Sequence, residues 1–376
     1  MQPNRLPKGG RIDRTRPVSF RFDGKSYQGY AGDTLASALL ANDVAIVGRS
    51  FKLHRPRGIV GAGAEEPNAI LQLGEGASAE PNVRATQVEL YDGLIARSTK
   101  GWPNARFDLA AVNDLFSRAF SAGFYYKTFM RPMSFWPLYE RAIRASAGFG
   151  RVPKQVDPDR YEHCNAHCDV LVAGAGPAGL MAALAAAEAG ARVILADEQD
   201  EFGGTLLATT DAAESAWLQQ TVTALVAHDR VTLLPRSTVV GYYDHNFLAI
   251  AERCTDHRPE PDRRGVRQRL WRVRAKQVVL AQGAFERPLA FCNNDRPGVM
   301  LASAVSRYLG RYAVRPGRRA VVFTNNDSAD QTALDLAKAG ASVIVVDSRA
   351  GGAGWLGEKV LEAGISVLAG HIVTNV

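Results

Sequence analysis

Apolar positions are most densely patterned between residues 169 and 198, where they predict a strand, a helix and a second strand. The apolar run Val170 to Ala173 has the length of a buried parallel strand. An alanine-rich segment then continues to Gly190 with the composition of a helix, and Val193 to Ala196 predicts the next strand. This order of elements is typical of a parallel α/β unit.

Three glycines separate the first strand from the helix in the pattern G-x-G-x-x-G. Gly174 suits a tight turn, Gly176 lets the backbone approach a pyrophosphate, and Gly179 lets helix and strand pack closely. The helix then directs free N–H groups and the positive end of its dipole at phosphate groups. An acid closes the second strand, where a carboxylate can accept hydrogen bonds from ribose hydroxyls. The whole context predicts a dinucleotide-binding site.

Residues 17–100 show a different pattern, with a period of two. Val18 to Phe22 and Lys25 to Tyr30 alternate around Asp23-Gly24, which predicts a hairpin, and Asp33 or Thr34 caps a helix over Leu35 to Ala41. Further strands are predicted at Ala69 to Leu73 and Gln87 to Tyr91. The order suggests a β-grasp module like a plant-type ferredoxin. Since the module contains no cysteine, we expect no iron–sulfur cluster held by its own thiolates.

Residues 101–167 are rich in aromatic residues and proline, including Phe124, Tyr125 and Tyr126. Such a segment can pack across a neighbouring domain or subunit, or it can be a helical linker with buried aromatics, and both interpretations stay open. Beyond the dinucleotide unit, short strands are predicted at residues 231–234 and 238–241. A polar hairpin tip follows at 253–269, and an apolar strand at 278–284 returns the chain to the dinucleotide.

A second strand–helix–strand pattern begins at Ala320, with its helix predicted over Ala329 to Ala339. Its turn, Thr324 to Asp330, lacks all three glycines and carries two carboxylates, so we expect the fold without nucleotide binding. The chain ends soon after a strand predicted at Ser366 to Leu368. The later strands of this domain and the closing segment of the first are missing, so we expect an N-terminal fragment of a longer polypeptide.

These patterns predict an α/β chain in which a cluster-less, ferredoxin-like β-grasp module precedes a Rossmann-like fold with two dinucleotide-binding domains, of the FAD/NAD reductase type, truncated at its C-terminus. The predicted parts are a basic arm (1–16), the β-grasp domain (17–100), aromatic and proline-rich linker helices (101–167), an FAD/NAD(P)-binding domain (168–300) and a degenerate, incomplete second domain (301–376).

Composition narrows the possible partners and location. The 376 residues carry a formal net charge of +7, but the basic residues are scattered and form no aromatic-interleaved face. We therefore expect no nucleic-acid partner, and solvated loops or an acidic partner subunit explain the charge better. Four cysteines, no secretory leader and no apolar span of membrane length predict a soluble, reduced, cytoplasmic protein without a membrane contact. The run His163 to Cys168 places four metal-type ligands too close together to close a tetrahedron, so no metal site is predicted.

Five motifs together resemble one family: RSFKLHRPRG, EEPNA, AHCDVLVAGAGPAGL, ADEQ…GGTLL and NDRPGVM. The chain resembles the alpha subunit of heterotetrameric sarcosine oxidase over essentially its whole length. The resemblance implies an assembly with beta, gamma and delta subunits that demethylates sarcosine oxidatively, giving glycine, hydrogen peroxide and a one-carbon unit passed to tetrahydrofolate. It further implies FAD in the beta subunit, FMN at the interface with the alpha subunit, and a non-covalent NAD at the fingerprint turn.

Carried over to this chain, the resemblance and the motif context give a set of expected cofactor contacts. They are Gly174, Gly176, Ala178, Gly179, Asp197, Glu198, Gln199, Gly204, Thr205 and Val239. Glu198 is favoured for the ribose because it stands five residues before Gly203, and Asp197 is the alternative. An acid here opposes a 2′-phosphate, which favours NAD or FAD over NADP.

Two departures from the disulfide reductases constrain the chemistry. The second turn, which lacks its glycines, argues against a nicotinamide that donates hydride in the reductase manner. Leu206 and Leu207 follow the glycine pair where those enzymes carry a redox cysteine pair, so thiol–disulfide chemistry is excluded there. No residue of the chain is predicted as a catalytic acid or base. The alternative function is an FAD-dependent catalytic subunit of a related amine or opine dehydrogenase or hydrogen cyanide synthase, and a scaffold with an empty fingerprint is a third. The bound nucleotide distinguishes the three functions. The sarcosine oxidase subunit predicts NAD, the catalytic dehydrogenase subunit predicts FAD, and the scaffold predicts no nucleotide.

Overall fold

Three β-sheets carry the fold in this computed structural model, which describes residues 2–117, 131–259, 265–351 and 354–376. The predicted aromatic run Phe124 to Tyr126 lies outside these residues. Among the described helices, none is long and apolar enough to cross a lipid bilayer.

The first sheet has the strand order β2-β1-β7-β5-β6. Its strands are β1 (Asp13–Phe22), β2 (Lys25–Ala31), β5 (Ile70–Leu73), β6 (Glu80–Arg84) and β7 (Leu94–Ser98), and a small hairpin of β3 (Gly48–Arg49) and β4 (Pro56–Arg57) lies beside it. The predicted hairpin is confirmed, since Phe22 pairs with Lys25 around Asp23-Gly24. Helix α1 (Leu35–Ala41) begins after Thr34, whose side chain accepts a hydrogen bond from the Ser37 N–H.

The predicted strand at Gln87 to Tyr91 is wrong. A 3-10 turn occupies Ala85–Gln87, and the strand lies further on, at β7. The reason is local pairing, because the Leu35 N–H donates to the Val88 carbonyl and the Leu90 N–H to the Asp33 carbonyl. Residues 88–90 are thereby bound to the loop before α1 and cannot join the ladder.

The segment between the first two sheets contains short helical elements. They are the 3-10 helices Leu109–Phe116 and Met133–Phe135 and helix α2 (Trp136–Ala147). Its described apolar side chains are largely exposed, with Leu115 at 82% and Met133 at 84%. These side chains are therefore not buried within a linker of this chain. Their exposure favours the interpretation that they pack against a neighbouring domain or subunit.

The second sheet has the order β10-β9-β8-β13-β12-β11 and carries the glycine turn. Its strands are β8 (Arg160–Ala173), β9 (Val193–Ala196), β10 (Val231–Leu234), β11 (Ser237–Tyr243), β12 (Phe247–Arg253) and β13 (Val266–Leu280). Helices α3 (Pro177–Glu188) and α4 (Ala212–Ala227) pack on one face through Leu180 and Leu225, and Leu248 on β12 belongs to a second apolar cluster with Leu171 of β8.

Strands β8 and β13 begin well before the predicted positions and pair in parallel over most of their length. The sequence hides them because they are rich in charge. The charge is compensated in the fold, since Arg267 binds Glu80, Asp159 and Asp256 at 2.6–2.7 Å. The metal-like run His163 to Cys168 therefore lies inside β8 instead of in a loop before it.

The third sheet has the order β14-β15-β16 and confirms the predicted second strand–helix–strand pattern. Its elements are β14 (Arg319–Thr324), β15 (Ser342–Asp347), β16 (Ser366–Ala369), α5 (Ala302–Tyr312), α6 (Asp330–Lys338) and α7 (Trp355–Glu362). Helix α5 connects the sheets. Tyr308 enters the core of the first sheet, Leu309 enters that of the third, and a Cβ at Gly310 would lie 1.9 Å from the Ala208 carbonyl oxygen.

Candidate functional site

The glycine turn between β8 and α3 depends on glycine at two positions for internal reasons. Gly174 has φ +99°, and a Cβ there would lie 2.5 Å from the Ala281 carbonyl oxygen. A Cβ at Gly179 would lie 1.9 Å from the Gly174 carbonyl oxygen, so glycine lets α3 approach the turn. At Gly176 the situation differs, because a Cβ would meet no atom within 4 Å. The space in front of Gly176 is therefore open to a ligand.

The N-terminus of α3 faces that open space. Gly176 is the N-cap and makes no side-chain cap, and Pro177 occupies the first helical position. The N–H groups of the first helical turn, including those of Ala178 and Gly179, have no partner within the helix. Ala178 is exposed. Helix ends of this kind bind anions, and the N–H groups here can bind a pyrophosphate.

Asp197 follows β9 and is committed to the turn itself. Its Oδ2 accepts the Ala175 N–H at 2.6 Å, and its Oδ1 accepts the Gln199 N–H at 2.9 Å. Burial raises the pKa of Asp197, and these two hydrogen bonds oppose that rise. Asp197 is therefore a residue that shapes the turn.

Glu198 keeps one carboxylate oxygen available. Its Oε2 accepts the Gln87 side-chain amide at 2.9 Å, and among the described residues no hydrogen bond reaches Oε1. Burial raises the pKa of Glu198, and the neighbouring charge of Asp197 adds to this rise. Of the two acids, Asp197 has both carboxylate oxygens in hydrogen bonds, whereas Glu198 has one oxygen left to accept a further hydrogen bond.

The segment after β9 returns to the turn through the glycine pair. A Cβ at Gly204 would lie 2.8 Å from the Gly176 Cα, and Thr205 is exposed on the 3-10 helix Gly204–Ala208. The Gln199 side chain is occupied, since its Oε1 accepts a hydrogen bond from Arg311. Gly204 and Thr205 thus lie at the mouth of the turn, whereas Gln199 contributes through its backbone.

Val239 is brought near this end of the sheet but does not face the turn with its side chain. The Ser237 N–H at the start of β11 donates to the Asp197 carbonyl at 2.7 Å, which brings β11 beside the end of β9. The Val239 side chain packs against the apolar cluster that contains Leu248 and Ile250. A ligand contact by Val239 would have to use its backbone.

Sequence reasoning missed the residues that surround the two acids from elsewhere in the chain. Arg253 donates to the Glu198 carbonyl at 2.6 Å, and Arg311 donates to Asp200 at 2.6 Å. The charge of Arg307 on α5 opposes the rise that burial causes in the pKa of Asp197 and of Glu198. These residues and Gln87 lie about 50 to 110 positions away in sequence, and no motif marks them.

The second turn, between β14 and α6, is filled by its own side chains. The Asn326 side chain accepts the Ser328 N–H at 2.8 Å, and Thr324 donates to the Asn326 carbonyl at 2.6 Å. Asp327 is bound to Arg349 at 2.8 Å. This turn presents no glycine cradle, so the expected loss of nucleotide binding here stays a prediction with geometry in its favour.

A cavity of about 1450 Å³ lies beside this second turn, against the first sheet's module. It is lined by several cations, including Arg49, Lys100, Arg287 and Arg319. Burial lowers the pKa of Lys100, and the charge of Arg57 lowers it further.

Within the described ranges, no group of three or more His, Cys, Asp or Glu side chains could hold a metal ion.

Two family models match the chain, one on each of the first two sheets. Residues 15–101 match a 2Fe-2S iron-sulfur cluster binding domain, and residues 169–264 match an FAD dependent oxidoreductase. The first match contradicts the expectation of no iron–sulfur cluster, and that expectation is wrong as stated. It rested on one ligand type alone, whereas the match extends over the whole domain. The four cysteines, at positions 164, 168, 254 and 292, all lie outside residues 15–101.

Known proteins resemble the chain over nearly all of its length. Sarcosine oxidase subunit alpha of Rhizobium meliloti (strain 1021) is 53% identical over 355 residues, which are 93% of this chain and 36% of that protein. The subunit alpha of Corynebacterium sp. (strain U-96) is 39% identical over 378 residues, 98% of this chain and 34% of that protein. The chain thus spans about a third of the length of the curated relatives it matches.

A solved structure supports the fold. L-proline dehydrogenase from P. horikoshii superposes with a TM-score of 0.60 at 20% identity, covering 92% of this chain and 56% of that one. At this identity the likeness concerns the fold alone.

Proposed function

We propose that this chain is the nucleotide-binding part of a multi-subunit amine oxidoreductase. The chain belongs to the family of the sarcosine oxidase alpha subunits and spans about a third of their length. One observation carries the proposal. The open space at Gly176, the free helix end at Ala178 and the free oxygen of Glu198 lie at one end of the sheet. These are the parts needed for a pyrophosphate and a ribose.

The ligand we propose is an adenine dinucleotide, bound through its ADP half. The N–H groups of Ala178 and Gly179 would hold the pyrophosphate, and Glu198 would accept the ribose hydroxyls. The match to an FAD dependent oxidoreductase supports FAD, whereas the family resemblance predicts NAD. FAD and NAD share the ADP half. A bound flavin would supply two-electron redox chemistry, whereas NAD would be bound here without a redox role.

The chemistry of amine oxidation is proposed to lie on a partner subunit. In the proposed site Asp197 is bound to the turn and Glu198 would bind the ribose, which would leave neither acid to take a proton from an amine. At the level of the complex, two electrons leave the N-methyl carbon of sarcosine and reduce oxygen to hydrogen peroxide. Glycine is released, and the one-carbon unit is passed to tetrahydrofolate. The partners would be the beta, gamma and delta subunits.

We propose that the FMN of the subunit interface binds in the cation-lined cavity, where this chain would form one side of its site. Lys100 and Arg287 provide charge for a phosphate, and no ion pair of either with another described residue is found. Phe51 and Phe291 offer apolar surface for a ring system. The exposed apolar side chains near residues 102–152 give a partner subunit a surface to cover.

Oxygen uptake separates the proposal from its alternative. The full-length chain is assayed with its partner subunits and alone, with sarcosine, L-proline and an opine as substrates. We expect peroxide formation from sarcosine only in the assembled complex. Amine oxidation by the chain alone would contradict the proposal and identify an FAD-dependent catalytic subunit. That function is the second candidate, and the family model on residues 169–264 favours it.

A further inference from the structure

A side chain of the first module reaches the acid at the candidate ribose position. Gln87 ends the 3-10 turn Ala85–Gln87, and its Nε2 donates to Glu198 Oε2 at 2.9 Å. Arg253 joins the same two residues through their backbones, donating to the Gln87 carbonyl and, at 2.6 Å, to the Glu198 carbonyl. Residues 111 positions apart are therefore bound at one point.

This contact fixes the Glu198 carboxylate with one oxygen bound and the other free. A glutamate side chain has three rotatable bonds, and ordering it on ligand binding costs free energy. Because Gln87 already holds Oε2, that ordering is complete before a ligand arrives, and Oε1 is left for it. A neutral amide donor also stabilises the ionised carboxylate, the form that accepts hydrogen bonds from a diol.

The position of Gln87 is set by other contacts of its module. Glu89, two residues on, forms a bidentate ion pair with Arg236 at 2.6 and 2.7 Å, and the Arg236 N–H donates to the Gln199 carbonyl. Tyr308 on α5 donates to the Gly61 carbonyl at 2.9 Å. The module is therefore docked against the end of β9 whether or not Gln87 makes its bond.

We propose that Gln87 is a positioning residue for Glu198, so that docking of the N-terminal module and binding of the dinucleotide support each other. The inference rests on the proposed function of the glycine turn. It assigns the ferredoxin-like module a role in nucleotide affinity that is independent of any cluster. Linkage makes the coupling reciprocal, so bound nucleotide strengthens the contact between module and sheet.

The test compares variants of Gln87 in the full-length chain with its partner subunits, using FAD and NAD as probes in calorimetric titrations. Gln87→Ala should weaken binding by about 10-fold, the scale of a hydrogen bond to a charged group. Gln87→Glu should weaken it further, because a second carboxylate faces Glu198. Gln87→Lys keeps a donor and should stay within about 3-fold of the wild type.

Gln72→Ala is the matched control, since Gln72 lies in the same module and bonds Arg151 away from the turn. It should leave the affinity unchanged. The dependence of affinity on pH adds a readout that a general loss of packing would not give. In Gln87→Ala the pH at which affinity falls should move upward, because the ionised carboxylate has lost a donor.

The outcomes separate this inference from the proposed function. Wild-type affinity and an unmoved pH midpoint in Gln87→Ala would overturn the role of Gln87 and leave the nucleotide site standing. Equal losses in Gln87→Ala and Gln72→Ala would also overturn it, as would a Gln87→Lys variant as weak as Gln87→Glu. A wild-type complex that binds neither FAD nor NAD would instead refute the proposed function itself.

Discussion

Two glycines three positions apart should respond to substitution in opposite ways. A Cβ at Gly179 would lie 1.9 Å from the carbonyl oxygen of Gly174, an atom of a tight turn that cannot rotate away. Overpacking of this kind costs about 1–3 kcal/mol, and we expect a value near the upper end for Gly179→Ala because the backbone must move. At Gly176 the backbone has φ −72° and ψ −177°, a conformation open to any residue.

Gly176→Val should therefore leave the fold nearly intact while removing the ligand. The new side chain meets no atom of the protein within 4 Å at Cβ, so the free energy of unfolding should change by about 1 kcal/mol or less, the cost of a poorer N-cap. The same side chain fills the space that a pyrophosphate would approach. We expect nucleotide affinity to fall by about 100-fold or more, or about 2.7 kcal/mol.

The assay measures both properties on the same preparations of the full-length chain. Urea unfolding gives stability without added nucleotide, and calorimetric titration gives the dissociation constant. The reasoning is refuted if Gly176→Val binds FAD or NAD as the wild type does. It is also refuted if Gly179→Ala is no less stable than Gly176→Val.

The remaining predictions concern the two acids. Glu198→Ala should weaken nucleotide binding by about 1–3 kcal/mol without lowering the stability of the nucleotide-free chain, and an unchanged dissociation constant in titration would move the ribose role elsewhere. Asp197→Asn deprives one of two backbone N–H groups of its acceptor and should cost about 1–2 kcal/mol of unfolding free energy without nucleotide, so an unshifted urea midpoint would show that Asp197 does not hold the turn. Burial raises the pKa of Glu198 above its ordinary value of 4.5, so its contribution to stability is complete below that value and is lost as the pH rises through the raised pKa. Nucleotide affinity should rise over the same interval as the acceptor ionises, and titrations that show equal pH profiles for wild type and Glu198→Gln would contradict this assignment.

The glycine turn could be predicted from sequence because its requirements are local. The positive φ of Gly174, the extended backbone of Gly176 and the close contact of Gly179 with the Gly174 carbonyl all arise within one strand–turn–helix unit. The same holds for the hairpin around Asp23-Gly24 and the capped helix that follows it. Short-range patterns were thus enough to predict these elements and the glycine turn.

What could not be predicted depends on contacts between distant segments. The early parts of β8 and β13 are rich in charged residues, so the sequence alone does not mark them as strands. Their charge is compensated only in the folded chain, where Arg267 binds three carboxylates. The strand expected at Gln87 to Tyr91 is diverted by pairing with the loop before α1. Glu198 could be proposed from the sequence as the candidate ribose acid, but its partner Gln87 belongs to another module, and no spacing rule connects the two.

Mass spectrometry of the nucleotide released on denaturation tests the central claim most directly. The full-length chain is purified with its partner subunits, and the wild type is compared with Gly176→Val. The account predicts about one adenine dinucleotide per wild-type chain, NAD or FAD, and its loss from the variant. A wild-type complex that releases no adenine dinucleotide from this chain, or a variant that releases as much as the wild type, would contradict it.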